Sequence, residues 1–179
     1  MGFLGIIFSL TVLTGCATTT TQINYKTDSP KQNSKGIDVS VLSVVDNRPV
    51  SERDVLGRVM NGLGMKVGDI KSPPDLLEKI KKSLESELEN AGYTISAQDK
   101  SLVLKTSLES LSCFFKDKTE ASIRIRFIVT DHGQEVLNHV YGGEGEHHPL
   151  WGEHDPAIIN SIKAAFNEFL KDFDQYTKS

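Results

Sequence analysis

Thr119-Glu120-Ala121-Ser122-Ile123-Arg124-Ile125-Arg126-Phe127-Ile128-Val129-Thr130 alternates with a period of two. Ala121, Ile123, Ile125, Phe127 and Val129 fall on one face of an extended chain, and Glu120, Ser122, Arg124 and Arg126 fall on the other, because successive strand side chains point to opposite sides. The charged face must stay wet, so this strand belongs to a sheet covered on one side only, the habit of antiparallel sheets. Asp131-His132-Gly133 breaks the run with a hairpin turn. The same period marks segments near 93–96, 101–114 and 135–147, which predicts an antiparallel meander over residues 93–147.

Helical spacing flanks the meander on both sides. Upstream, Ser72-Pro73-Pro74-Asp75 opens a helix, with prolines where first-turn amides lack partners anyway. Leu76, Leu77, Ile80, Leu84 and Leu88 then form one stripe, and Gly92 ends it as a left-handed cap. Downstream, Asp155 stands as the cap and Pro156 at the first helical position, ahead of a stripe of Ile158, Ile159, Ile162, Ala165, Phe166, Phe169, Leu170 and Phe173. A further strand is predicted from Ile37 to Val45, stopping at Asp46-Asn47-Arg48-Pro49, and a short hairpin turns on Asn61-Gly62, a pair that tolerates positive φ. The predicted fold class is α+β: a mostly antiparallel sheet with two amphipathic helices packed on one face.

The front of the chain carries an address. Residues 1–15 are uncharged and mostly apolar, the first charged residue being Lys26, and an apolar core of roughly 10 to 14 residues is too short to span a bilayer as a helix. The segment reads as a signal h-region. Its end, Leu13-Thr14-Gly15-Cys16, resembles the lipobox of bacterial lipoproteins, which implies cleavage between Gly15 and Cys16 and a lipid on Cys16. Ala17 rather than Asp after the cysteine resembles outer-membrane sorting. Residues 16–35, rich in Thr, Ser, Asn, Gln and Lys, are expected as a flexible tether spanning about 25 Å, and residues 36–179 as a single periplasmic α+β domain of about 140 residues, enough for one core.

Composition excludes some classes. The net charge of −4 and dispersed bases argue against nucleic acid, since phosphate binding needs clustered Lys and Arg. Lys81-Lys82 sits among Glu78, Glu85 and Glu87 on a helix, as solvated ion pairs do. With Cys16 acylated, Cys113 is the one remaining thiol, and Leu111, Phe114 and Phe115 beside it suggest burial on a strand rather than catalysis.

The lipobox, the strand ending in Asp46-Asn47-Arg48, Gly57, the helix ending in Ala91-Gly92-Tyr93, the strand 119–129 and the terminal helix together resemble the YajG-like bacterial outer-membrane lipoproteins, an uncharacterised family. The resemblance covers nearly the whole mature domain. It implies a lipoprotein anchored on the periplasmic face of the outer membrane, with no active site to carry over. Auxiliary lipoproteins of similar layout act as protein partners within envelope machines. The expected function is therefore a lipid-anchored, non-enzymatic module that binds another envelope protein, its membrane contact made through the anchor and its cofactors none beyond the covalent lipid.

Asp46, Arg48 and Trp151 are the candidate partner-binding residues, with the exposed edge of the first strand and the loops 46–66 and 144–154 as contact surfaces. Asp46 with Arg48 reads more readily as a salt bridge organising its loop than as a surface recognition pair. One alternative is a small-ligand or lipid pocket lined by Phe114, Phe115, Phe166, Phe169 and Phe173. Another is a metal site in the loop 144–155, using His147, His148, His154 and Glu153, although their spacing matches no closed tetrahedral template. Gly57, Gly62, Gly64 and Gly68 lack the companions of a phosphate-binding loop and read as turn residues. Nucleophile elbows and assembled acid–base pairs are absent from the sequence.

Overall fold

The computed structural model describes residues 19–28, 30–96, 102–148 and 153–178. The signal 1–15, Cys16 and Trp151 lie outside the described residues.

The strands are β1 (Thr19–Thr20), β2 (Asp38–Asp46), β3 (Val55–Met60), β4 (Lys66–Lys71), β5 (Thr94–Ile95), β6 (Leu102–Phe115), β7 (Thr119–Asp131) and β8 (Gln134–His147), with helices α1 (Leu76–Asn90) and α2 (Asp155–Tyr176). The meander is as predicted from β6 to β8, with β7 pairing antiparallel with β6 on one edge and β8 on the other, nearly along its whole length; the segment 93–96, predicted as its first member, instead gives β5, which pairs parallel with β2. Ala121, Ile123, Ile125, Phe127 and Val129 are all buried, and Glu120, Ser122 and Arg124 are exposed. Both helices feed one continuous core with this face of the sheet. Phe127 stacks on Phe169 at 4.2 Å, and Phe169 on Phe173 at 5.2 Å.

The order β1-β4-β3-β6-β2-β5, with β7 and β8 continuing from β6, adds what periodicity does not carry. The second edge of β6 receives two parallel strands in succession. β2 pairs with it up to Leu108, the chain leaves the sheet over residues 47–54, and β3 rejoins the same edge at Cys113. Gly92 ends α1 in the left-handed conformation predicted, at φ +90°. The β3–β4 hairpin exists, but not with a tight turn on Asn61-Gly62. The loop runs through residues 61–65, positive φ falls on Gly64, and the Asn61 side chain accepts from the amides of Leu63 and Met65 at 3.0 and 2.9 Å. The cap of α2 is also shifted by one, to His154, which leaves Asp155 in the first turn.

The expected tether needs correction. Over its described part, residues 19–35 lie against the fold rather than free. β1 pairs parallel with β4, Ile23 is only 2 % exposed, and Tyr25 rests on Phe166 while donating to Glu87 at 2.7 Å. Farther along, the Gln32 amide donates to the Asn90 carbonyl at 2.7 Å, and Lys35 pairs with Asp174 at 2.7 Å. Two apolar anchors and a series of hydrogen bonds to β4, α1 and α2 hold the segment there.

The four tyrosines of the chain share one habit, each donating to a carboxylate: Tyr25 to Glu87, Tyr93 to Asp174, Tyr141 to Asp172 and Tyr176 to Asp131. Burial foremost, then the adjoining carboxylate, pushes the phenols of Tyr25, Tyr93 and Tyr141 well above their ordinary range.

Candidate interaction surfaces

Asp46 and Arg48 meet, but not as a surface recognition pair. Where β2 leaves β6 and β3 has not yet joined it, Arg48 turns inward and is 2 % exposed. Its Nε and Nη2 donate to the two carboxylate oxygens of Asp46 at 3.0 and 2.8 Å, and Nη1 and Nη2 also donate to the carbonyls of Glu52 and Arg53, each at 3.2 Å. Arg53 Nε donates back to the Arg48 carbonyl at 3.1 Å. The guanidinium is thus the internal frame of loop 47–54, with a planar fork matched to the carboxylate. This loop exposes Val50 at 76 %, and Val45 at the end of β2 is 54 % exposed. On the outer edge of β2, only β5 pairs among the described residues, over Asp38 and Val39. The edge expected for strand addition is covered there, and no described strand pairs with it farther along.

The histidine loop disperses its donors. His154 faces the core, 4 % exposed, with Nδ1 at 3.0 Å from Thr119 Oγ1 and its ring 5.3 Å from that of Phe115. His148 Nε2 lies 3.1 Å from Glu146, and His147 Nε2 lies 3.9 Å from Glu153. Among the described residues, no three His, Cys, Asp or Glu side chains converge as a metal site. Glu146 is also held by Lys118, which bridges it to Glu120 on the wet face of the sheet.

Burial drives the His154 ring below the ordinary imidazole value of 6.5, against a smaller opposing pull from Asp155. Between the two values the folded chain binds fewer protons than the unfolded one. This stability is therefore complete above pH 6.5 and is lost as pH falls through the folded value. A His154→Gln variant is expected to flatten the slope of stability between about pH 5 and 7; denaturant midpoints with the same slope in both proteins would contradict this.

Cys113 is 3 % exposed on β6, and burial raises its thiol to about 12, with Asp155 adding to the effect. Native protein should react with a thiol reagent near neutral pH far more slowly than denatured protein. Equal rates would show that the strand opens.

The phenylalanines do not assemble a pocket. Phe166, Phe169 and Phe173 are fully buried, Phe169 stacked on Phe173 and Phe166 edge-on to Phe127, whereas Phe114 is 42 % exposed on the opposite face, beside a surface concavity of about 440 Å³ with Glu120, Glu144 and Glu146. Truncating Phe169 to alanine is expected to cost about 3 to 5 kcal/mol, measurable by urea denaturation.

Sequence reasoning missed the apolar hairpin tip. Leu63 is 84 % exposed, Met65 56 % and Val67 38 %. The glycines around them mask the pattern, and only their spacing across the Asn61 turn would have disclosed it.

No protein-family model and no curated protein matches the chain. Among solved structures, the fold is similar to that of protein XCC0632 from Xanthomonas campestris, of family DUF330, with a TM-score of 0.55 at 10% identity over 90% of this chain and 98% of that one. The hypothetical protein CT253 from Chlamydia trachomatis gives a TM-score of 0.50 at 10% identity, over 78% and 96% of the two chains. Lipoprotein GNA1162 from Neisseria meningitidis gives 0.43 at 8% identity, over 80% of this chain and 99% of that one, too loose a match to argue from. At such identities the likeness is one of fold: a mixed α+β sheet with two helices.

Proposed function

We propose that the chain is a lipid-anchored, non-enzymatic module of the bacterial envelope, held through acylated Cys16 on the periplasmic face of the outer membrane, and that it binds another envelope protein. The YajG-like resemblance and the lipobox-like Leu13-Thr14-Gly15-Cys16 support the anchor. No helix among the described residues is long and apolar enough to cross a membrane. The observation that carries the partner reading is the outer edge of β2: past Val39 no described strand pairs with it, and Val45 on the strand and Val50 in the loop that follows it are exposed. An extended segment of a partner adding there would gain main-chain hydrogen bonds and two apolar contacts.

The fates of the chemically able side chains support a binding role over catalysis. His154 and Cys113 are committed to the core, and Arg48 to its loop. A photo-crosslinking residue at Val45 or Val50, activated in intact cells, is expected to give one discrete adduct that the same residue at exposed Lys171 on α2 does not. No adduct at either valine, or the same products from all three positions, would overturn the proposal.

A further inference from the structure

We infer that the tip of the β3–β4 hairpin is a membrane-contact element, with Leu63, Met65 and Val67 entering the headgroup layer of the phospholipid bilayer in which Cys16 is anchored. This rests on the acylation of Cys16 proposed above.

Three observations converge. First, Leu63 and Met65 in the loop 61–65 are 84 % and 56 % exposed, and Val67, just inside β4, is 38 % exposed. They are not loosely displayed. The Asn61 amide donates to the Met65 carbonyl at 2.9 Å, the Gly64 amide to the Asn61 carbonyl at 2.9 Å, and the Asn61 side chain takes the amides of Leu63 and Met65. The amides of Asn61, Leu63, Gly64 and Met65 are thereby satisfied within the tip, which lowers the cost of entering a less hydrated layer.

Second, the anchor point is close. Cys16 is three peptide steps from Thr19, a separation of at most about 11 Å, and Thr19 is in register with Ile70 of β4. This short leash replaces the expected long tether, and the bilayer cannot stand far from β1.

Third, the direction is right. β1 runs parallel to β4, so the N-terminal end of β1 faces the Lys66 end of β4, the end that leads into the tip. From Ile70 back to Lys66 is about 13 Å of strand, enough to cross the gap that the leash allows. Asp69 pairs with Lys66 at 2.8 Å, which leaves Arg58 and Lys71 as the hairpin's net positive charge, a balance compatible with anionic headgroups.

The test uses acylated full-length protein floated with vesicles of phosphatidylethanolamine and phosphatidylglycerol. An environment-sensitive fluorophore is placed through Leu63→Cys, Met65→Cys or, as control, Glu135→Cys; native Cys113 is buried and Cys16 is blocked by its lipid. Glu135 pairs with Thr130 near the Leu102 end of β6, whereas β3 pairs at the Phe115 end, so the control lies at the opposite end of the sheet. The expected result is a blue-shifted emission quenched by nitroxide-bearing lipid at positions 63 and 65 and not at 135. Water-like emission at 63 and 65 from protein that floats with the vesicles would overturn the inference and leave the anchor intact. A shift that requires added envelope protein would also overturn it, by showing a protein on the tip. Protein from the native host that carries no lipid and does not float would overturn both the anchor and the inference.

Discussion

Alanine at both Gly143 and Gly145 is expected to detach α2 from the sheet. A Cβ at Gly143 would stand 1.9 Å from the Ser161 carbonyl oxygen and 2.7 Å from the Ala165 nitrogen; one at Gly145 would stand 2.0 Å from the Ala157 carbonyl oxygen and 2.6 Å from the Ser161 nitrogen. All four obstacles are helix backbone, which cannot rotate aside as a side chain does. α2 would have to lift from β8 by more than an ångström, opening the contacts of Ile158, Ile162, Phe166, Phe169 and Phe173 and the stack of Phe169 on Phe127. Overpacking costs about 1 to 3 kcal/mol at an ordinary core site and more where the neighbour is rigid. The double variant should lose roughly 4 kcal/mol or more, a fall in Tm of about 10 °C or more. Gly62→Ala is the matched control, since nothing lies within 4 Å of a Cβ there, and it should change stability by less than about 0.5 kcal/mol. Calorimetry of the three proteins checks this; an unchanged Tm in the double variant would show that α2 does not sit on β8 as described.

Arg48→Met carries the second large effect. It leaves the Asp46 carboxylate without its fork, and it leaves the carbonyls of Glu52 and Arg53 without those donors. Removing one partner of a buried pair costs about 3 to 5 kcal/mol, mostly from the charge left behind. Asp46→Asn together with Arg48→Met should recover much of that loss, which a double-mutant cycle in urea would measure. The pH dependence has a definite sign. Burial pushes the Asp46 carboxyl up, but the hydrogen bonds and charge of Arg48 outweigh it and hold the group below its ordinary 3.8. Its stabilisation is present above that value and is lost as pH falls through the folded one. In the Met variant the upward push of burial is opposed only by the backbone amide of residue 48 and the charge of Arg53, so the variant should be impaired more at pH 7 than at about pH 3. Equal impairment at both would mean that Asp46 does not depend on this arginine.

These two sites show where the sequence was legible. Alternation in 119–131 and the stripes of α1 and α2 report burial through local period, and the meander, both helices and their common face follow from them. Arg48 is different. Asp46-Asn47-Arg48 announces a pair, but its burial arises from the gap between β2 and β3 on one edge of β6, a long-range property. The parallel pairing of β2 and β3 with β6 is equally non-local. Gly143 and Gly145 did leave a signal, two small residues on the inward face of β8 continuing from Tyr141, which specifies a close helix rather than a weak strand. Residues 19–35 misled because composition counts apolar residues and not the partners on β4, α1 and α2 that receive them. The donors of loop 144–155 were legible as residue types, but Thr119 and Phe115, which draw His154 inward, are distant in sequence.

Mass analysis of the amino terminus of protein taken from the native host is the most direct test of an anchored module held close to its membrane. The predicted species begins at Cys16, bears fatty acyl mass on that residue, and shows hydrogen-exchange protection at the β1–β4 pairing on the vesicle surface. A terminus upstream of Cys16, with an unmodified thiol there, would contradict it.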